Sequence, residues 1–358
     1  MSATRNLVIS AVSNLSTAYN LVVINIVHVI VQFQYGGGPD ACTVEVDSAS
    51  TSCLVGAIVG QLTFGYIGDR LGRPRALQLT MALSILGALA SAFAVPMSEA
   101  DPCSIFTFLT ITRFFLGVGV GGVYPLSATI ASESSQNAER GRNASLVFSM
   151  QGIANLTVPL LAWALLQACG VPETGSAAAE LGLSWRLALG LGALPGILLA
   201  PFKTRSRVDR APEQPRPGTP DVEVPMVNPI GERSDQARQA APTTLLQALQ
   251  MRKYWGKLVG TAGGWFLFDV TFYGNALFQS TVLEQVFDAH KANASAVEEP
   301  PFRGGLSENL CAQMALVALI GLPGYYMSVC LMDKLGRRFI QLQGFFFMAV
   351  VFGVLGAL

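Results

Sequence analysis

The chain has 358 residues, 51% of them hydrophobic and 13% charged, and its 23 basic and 23 acidic residues cancel to a formal net charge of zero. That is about half the charge of an ordinary soluble domain. With a mean hydropathy of +0.45 it argues against a water-soluble globule and for a polytopic membrane protein whose first partner is the lipid bilayer. A neutral chain carries no electrostatic footprint for nucleic acid, so no nucleic-acid partner is expected.

Apolar runs near the roughly 20 residues needed to span a bilayer occur at 7–33, 52–69, 75–96, 105–131, 143–169, 184–202, 257–282, 309–331 and 338–358. Backbone polar groups in lipid must be satisfied internally, so each run is predicted as a helix. The loops near 70–75, 140–142, 203–210, 252–257 and 334–338 carry Arg and Lys. The alternate loops 34–51, 97–104 and 170–183 carry acids and no Lys or Arg, and 283–308 is mixed. The positive-inside rule then puts the N-terminus in the cytoplasm, and the alternation agrees with nine spans. The first run is too long, and lacks the cleavage site, for a signal peptide.

Residues 203–252 break the apolar pattern with six prolines among charged and small residues, from Pro212 to Pro229, and are predicted to be a disordered cytoplasmic linker. The chain therefore divides into a six-helix bundle over 1–202, the linker over 203–252, and three further helices over 253–358. One sequon, Asn293-Ala-Ser295, falls in an outer loop. The six cysteines show no CxxC and no Cys/His metal spacing, so no metal or cofactor is expected. Cys42 and Cys103 fall on one side, where a disulfide between them is allowed. His28 and His290 stand alone, with His28 read as polar packing. No Ser/His/Asp set and no nucleotide loop supports an enzyme.

An internal repeat lies across the two halves. Gly65-Tyr-Ile-Gly-Asp69-Arg70-Leu-Gly72-Arg73 follows the second helix, and Met332-Asp333-Lys334-Leu-Gly336-Arg337-Arg338 follows the eighth. Each is a helix end, an acid, a base, a glycine turn and more basic residues. Duplicated transporter halves produce this arrangement. Gly65 and Gly68 are expected to let helices pack closely, and Asp69, Arg70 and Arg73 with Glu133, and Asp333 with Arg337, to form contacts that open and close.

The segment Gly117–Glu133, GVGVGGVYPLSATIASE, is glycine-dense, which in lipid lets helix backbones touch. Tyr124 within it and Gln151 in the next helix are polar groups near mid-membrane. Trp265, Asp269 and Tyr273 are spaced i, i+4, i+8 and share one helix face. An acid inside a membrane helix is a functional-site hypothesis in itself. Arg113 lies three turns before Tyr124 on the same face and needs a counter-charge or carbonyl partners.

GYIGDRLGRPR resembles the loop signature of the major facilitator superfamily. GVGVGGVYPLSATIASE with ERGRNASLVFSMQG, GWFLFDVTFYGNALFQS, and LPGYYMSVCLMDKLGRRFIQLQGFFFM resemble helices four and five, seven, and eight and nine of its phosphate:proton symporter family. The resemblance implies an all-α polytopic bundle with about nine transmembrane helices present of an expected twelve, hence a C-terminally truncated chain at the plasma membrane. It further implies transport of inorganic phosphate by alternating access, with a substrate site lined by Tyr124, Gln151, Trp265, Asp269 and Tyr273. Phenols, an indole and an amide can donate to phosphate oxygens. Asp269 fits an anion only if a P–OH of monobasic phosphate donates to it, which sulfate cannot do. The family's coupling acids are replaced here by Thr17, Asn20 and Val123, none of which titrates in the working range. Proton coupling is therefore left to Asp269 alone, with facilitated diffusion, or sodium held by Asn20, Thr17 and carbonyls, as the other routes. A carrier of sugars or organic anions, and a phosphate-sensing relative that does not transport, are the rival readings.

Overall fold

Lipid leaves a backbone no partner but itself, and nearly all described residues are helical. The computed structural model describes residues 2–36, 43–97, 101, 103–135, 139–169, 178–204, 252–277 and 306–357. The first span is α1 (Ser2–Val22) and α2 (Ile24–Val31), closed by a π-helical turn at Gln32–Gly36. There follow α3 (Thr43–Leu71), α4 (Arg73–Ala92), α5 (Ser104–Glu133), α6 (Arg140–Cys169), α7 (Ala178–Leu191), α8 (Leu194–Thr204), α9 (Arg252–Leu277), α10 (Leu306–Leu335) and α11 (Arg337–Ala357). Eight helical stretches among these residues are long and apolar enough to cross a membrane, and they coincide with eight of the nine predicted runs. The remaining run begins within α9, whose apolar character is interrupted by Lys257 and Asp269. Of the predicted linker over 203–252, residues 205–251 lie outside the described residues, as do Cys42, His290 and the sequon at Asn293, while its ends at 203–204 and 252 are helical.

The chain forms two compact units, one of residues 1–206 and 277–358 and one of 207–276. In the first, α5 is the central helix. Its glycines work in two directions. A Cβ on Gly117 or Gly121 would strike the carbonyls of Cys53 and Ala57 on α3, and one on Gly56 or Gly60 of α3 would strike those of Phe114 and Val118 on α5. The two backbones thus touch through reciprocal glycine pairs four residues apart. Gly119 and Gly122 lie equally close to Thr80 and Ser84 of α4. A second core joins α1, α2, α6, α7 and the start of α10, around Phe106, Trp185, Leu310 and Met314. Trp185 is fully buried and its indole N–H donates to Gln34 Oε1 at 2.8 Å.

Two expectations need correction. The sixth span is broken. Gly192 and Ala193 form a turn between α7 and α8 with N–H bonds to Leu189 and Gly190. Pro195, which has no N–H, sits in the first turn of α8. Side chains of α1 take up the turn's free carbonyl: Ser16 Oγ donates to Gly192 O at 2.9 Å, and Asn20 Nδ2 to the same oxygen at 2.9 Å. Helix breaks of this kind arise where side chains insert into the backbone ladder. The second correction is Gly65, which has nothing within 4 Å of where a Cβ would stand and makes no close approach, whereas Gly68 faces the Leu126 side chain.

The repeat is visible in the backbone. Gly72 joins α3 to α4 at φ +86°, and Gly336 joins α10 to α11 at φ +84°. Both occupy the left-handed region that favours glycine, and each carbonyl accepts the first bond of the following helix, from Ala76 at 3.1 Å and Ile340 at 3.3 Å. Cys103 is disulfide-bonded, while Cys53, Cys169, Cys311 and Cys330 are free thiols.

Candidate functional site

Tyr124 projects from α5, 9% exposed, and stacks on Phe148 of α6 with ring centroids 6.3 Å apart and planes 2° from parallel. Pro125 follows it and removes the N–H that would bond the Gly121 carbonyl, loosening the ladder beside the phenol. Gln151 lies one turn beyond Phe148 on α6 and is half-buried. Next to it, a Cβ on Gly152 would come within 2.6 Å of the Tyr325 ring of α10. Tyr325 is half-buried and sequence reasoning passed over it. Its signal was the helix-distorting Pro323-Gly324 just before it, which marks a site rather than a plain span. Tyr124, Phe148, Gln151 and Tyr325 therefore mark out one seam where α5, α6 and α10 meet.

Trp265, Asp269 and Tyr273 belong to the second unit, on α9. Their spacing does place them on one face. Phe268 and Phe272 flank them: Trp265 meets Phe268 edge-on at 5.8 Å, Phe268 stacks on Phe272 at 5.5 Å, and Phe272 meets Tyr273 edge-on at 5.4 Å. Asp269 stands half-buried among these rings.

At the ends of α3, α4 and α5, Arg73 pairs with two acids, while among the described residues no ion pair joins Asp333 to Arg337. Arg73 Nη1 lies 3.0 Å from Glu133 Oε2, and Arg73 Nη2 lies 3.8 Å from Asp69 Oδ1. Arg70 instead lays its guanidinium 5.0 Å from the Tyr66 ring centroid. The second copy of the repeat docks elsewhere. A Cβ on Gly141, at the start of α6, would lie 2.7 Å from Asp333 Oδ1 and 3.1 Å from Arg337 Nε. Gly141 and Gly152 are three turns apart on α6, and both meet α10 or its joint with α11.

Arg113 is 1% exposed in the heart of the first unit. Its Nη1 donates to the Asn20 carbonyl oxygen at 2.8 Å, so it is anchored to α1 by backbone and not by an acid. Asn20 and Thr17 are both buried on α1. Val123 is fully buried in an apolar cluster with Phe64, Ala76, Leu77, Met81 and Leu126. His28 is half-buried in α2.

The Major Facilitator Superfamily model matches residues 7–358. Among curated proteins the chain is 32% identical to inorganic phosphate transporter 1-6 of Oryza sativa subsp. japonica, over 96% of this chain and 67% of that protein. It is 32% identical to low affinity inorganic phosphate transporter 4 of Petunia hybrida, over 85% of this chain and 59% of that one. It is also 32% identical to probable inorganic phosphate transporter 1-8 of Arabidopsis thaliana, over 98% and 67%. The chain thus spans roughly three fifths to two thirds of the length of these relatives. Among solved structures it is similar to the partially occluded inward-open xylose transporter XylE of E. coli, with a TM-score of 0.61 at 17% identity, covering 94% of this chain and 72% of that one. A crystal structure of a D-xylose–proton symporter gives 0.59 at 17% identity, over 92% and 69%. At such identity the structural likeness is one of fold. With the family model spanning nearly the whole sequence, the chain belongs to the major facilitator superfamily.

Proposed function

We infer that the protein acts in transmembrane transport of inorganic phosphate by alternating access, with Tyr124, Gln151, Trp265, Asp269 and Tyr273 as substrate-binding residues. One observation carries the reading. The α9 face combines a carboxylate with an indole and a phenol, a set that suits an anion able to donate a proton as well as accept hydrogen bonds. The curated relatives, named as inorganic phosphate transporters, support it. Monobasic phosphate offers P–OH to Asp269 and bare oxygens to the indole and phenols. Sulfate would leave the carboxylate unpaired, a cost of about 1–3 kcal/mol or more. Asp69, Arg73 and Glu133, with Asp333 and Arg337, serve as the cytoplasmic gate that closes and releases in the cycle.

Coupling follows from what surrounds α1. A sodium ion held at Asn20 would meet the guanidinium of Arg113, which bonds the Asn20 carbonyl and among the described residues has no acid beside it, and the two positive charges would repel. Asp269 is left as the proton carrier. The test is phosphate uptake by the full chain in proteoliposomes with imposed pH and sodium gradients. Saturable uptake driven by an inward proton gradient supports the reading. Phosphate binding without uptake under any gradient replaces it with the sensor reading, and uptake of sugars or organic anions in preference to phosphate replaces the substrate.

A further inference from the structure

We propose that Arg113, with Asn20 and Thr17 of α1, forms a binding site for a hydroxylated monovalent oxyanion inside the N-terminal six helices, separate from the Tyr124 seam and independent of the transport reading. Arg113 is among the largest fully buried side chains. Only Nη1 is engaged, on the Asn20 carbonyl. Nε and Nη2, which together form the side-on bidentate edge of the guanidinium, have no partner. Among the described residues the carboxylate pairs are those of Arg73 and Arg142, and none reaches Arg113. The groups within electrostatic reach of it are the Cys53 thiol and the Tyr19 hydroxyl, and the latter donates to Ala188 O at 2.9 Å. A buried cation without a counter-charge is costly, and an arriving anion relieves that cost. The unpaired edge is a fork shaped for two oxygens of one oxyanion.

The neighbouring acceptors narrow the ligand. Asn20 directs its amide N–H groups at Ser16 O (2.8 Å) and Gly192 O (2.9 Å), which leaves its Oδ1 unpaired. Thr17 Oγ1 is unpaired as well, and so is Asn14 Oδ1 one turn earlier, whose amide N–H donates to Val147 O at 2.9 Å. The Thr17 hydroxyl can donate to an anion, but the two amide oxygens repel one unless it carries an O–H to donate. One negative charge, two oxygens for the fork and an O–H together describe dihydrogen phosphate or bicarbonate. Chloride has no O–H. Sulfate has a second charge and no proton.

The experiment is thermal unfolding of the full chain in nanodiscs at constant ionic strength, titrated with phosphate at mildly acidic pH, bicarbonate, chloride or sulfate. The expected result is a saturable rise in Tm with phosphate or bicarbonate, kept in Asp269→Asn and lost when Arg113→Gln is added to Asp269→Asn. The two arms identify which ion binds. Asn20→Asp places a carboxylate on the residue already bonded to Arg113. It exchanges the amide donor to Ser16 O and Gly192 O for a charge of the anion's own sign, so it should abolish the anion-dependent rise at some cost in Tm, and it carries the test if Arg113→Gln does not fold. The proposal is overturned by the absence of any rise, by an equal rise with chloride or sulfate, or by a rise in the Asp269→Asn background that survives Arg113→Gln or Asn20→Asp. A rise lost in Asp269→Asn but kept in Arg113→Gln belongs to the α9 face; it overturns this site and leaves the transport reading standing.

Discussion

Arg73, the first residue of α4, reaches across the end of the bundle to Glu133, the last residue of α5, with Nη1 3.0 Å from Oε2. The pair is about half exposed, so its worth to folding is about 0.2–1 kcal/mol. Glu133→Gln should therefore lower Tm by no more than about 2–4 °C. Its effect on initial phosphate uptake should exceed what that stability loss explains, because the contact stands at an end that must open. Equal, small effects on both would assign the pair to stability alone.

The α3–α5 contact is made by backbone. Gly117→Val drives a branched side chain into the Cys53 carbonyl, so it should cost about 1–3 kcal/mol or more and reduce the yield of monodisperse protein. Gly65→Val, with nothing within 4 Å, should leave yield and Tm unchanged. If the two variants behave alike, the reciprocal glycine pairing is not what holds these helices together.

Asp269→Asn removes the negative charge that disfavours a bare anion and puts an N–H donor where one carboxylate oxygen stood. The variant should bind phosphate about tenfold or more weakly and lose most discrimination against sulfate. Wild-type uptake should increase as pH falls, since the monobasic ion becomes the larger share. Competition of labelled phosphate by sulfate, measured on both proteins, reads out the difference.

An acid at position 123 should not add a second proton carrier to Asp269. Val123 is enclosed by Phe64, Ala76, Leu77, Met81 and Leu126, so Val123→Asp buries a carboxylate without a partner and should cost several kcal/mol. Val123→Leu should be far milder. Comparative Tm measurement decides it; a well-folded Val123→Asp that moves more protons per phosphate than the wild type would show that α5 can turn this residue toward the bundle interior.

At the α6–α10 seam, Gly152→Leu places a side chain where the Tyr325 ring stands. Uptake should fall severely while the α3–α5 core, remote from the change, keeps the protein folded. Tyr325→Ala in the same background should recover part of the rate by making room.

The eight spans, the repeated loop and the glycine face of α5 were legible because they rest on local composition and helical period. The α9 face was legible for the same reason: i, i+4, i+8 is enough to align Trp265, Asp269 and Tyr273. The break at Gly192 was not, because it depends on Ser16 and Asn20, more than 170 residues away, accepting the role of the missing backbone donors. Tyr325 was missed because only packing against Gly152 distinguishes it from the neighbouring Tyr326. Arg113 was seen to need a partner, but its Asn20 carbonyl and its unpaired edge are facts of three dimensions. Gly65 was over-read: a small residue in a helix signals close packing only when a neighbour is there.

One turn of α1 is fastened to the broken sixth span by Ser16 and Asn20 on Gly192 and by Tyr19 on Ala188. Three hydrogen bonds to main-chain oxygens leave little freedom for sliding, since each must be given up before either helix can shift. The first and sixth spans should consequently move as a single lever, and Asn14 on Val147 O ties α6 to the same lever. Rearrangement then falls to contacts made by side-chain packing alone, such as Gly152 against Tyr325 between α6 and α10.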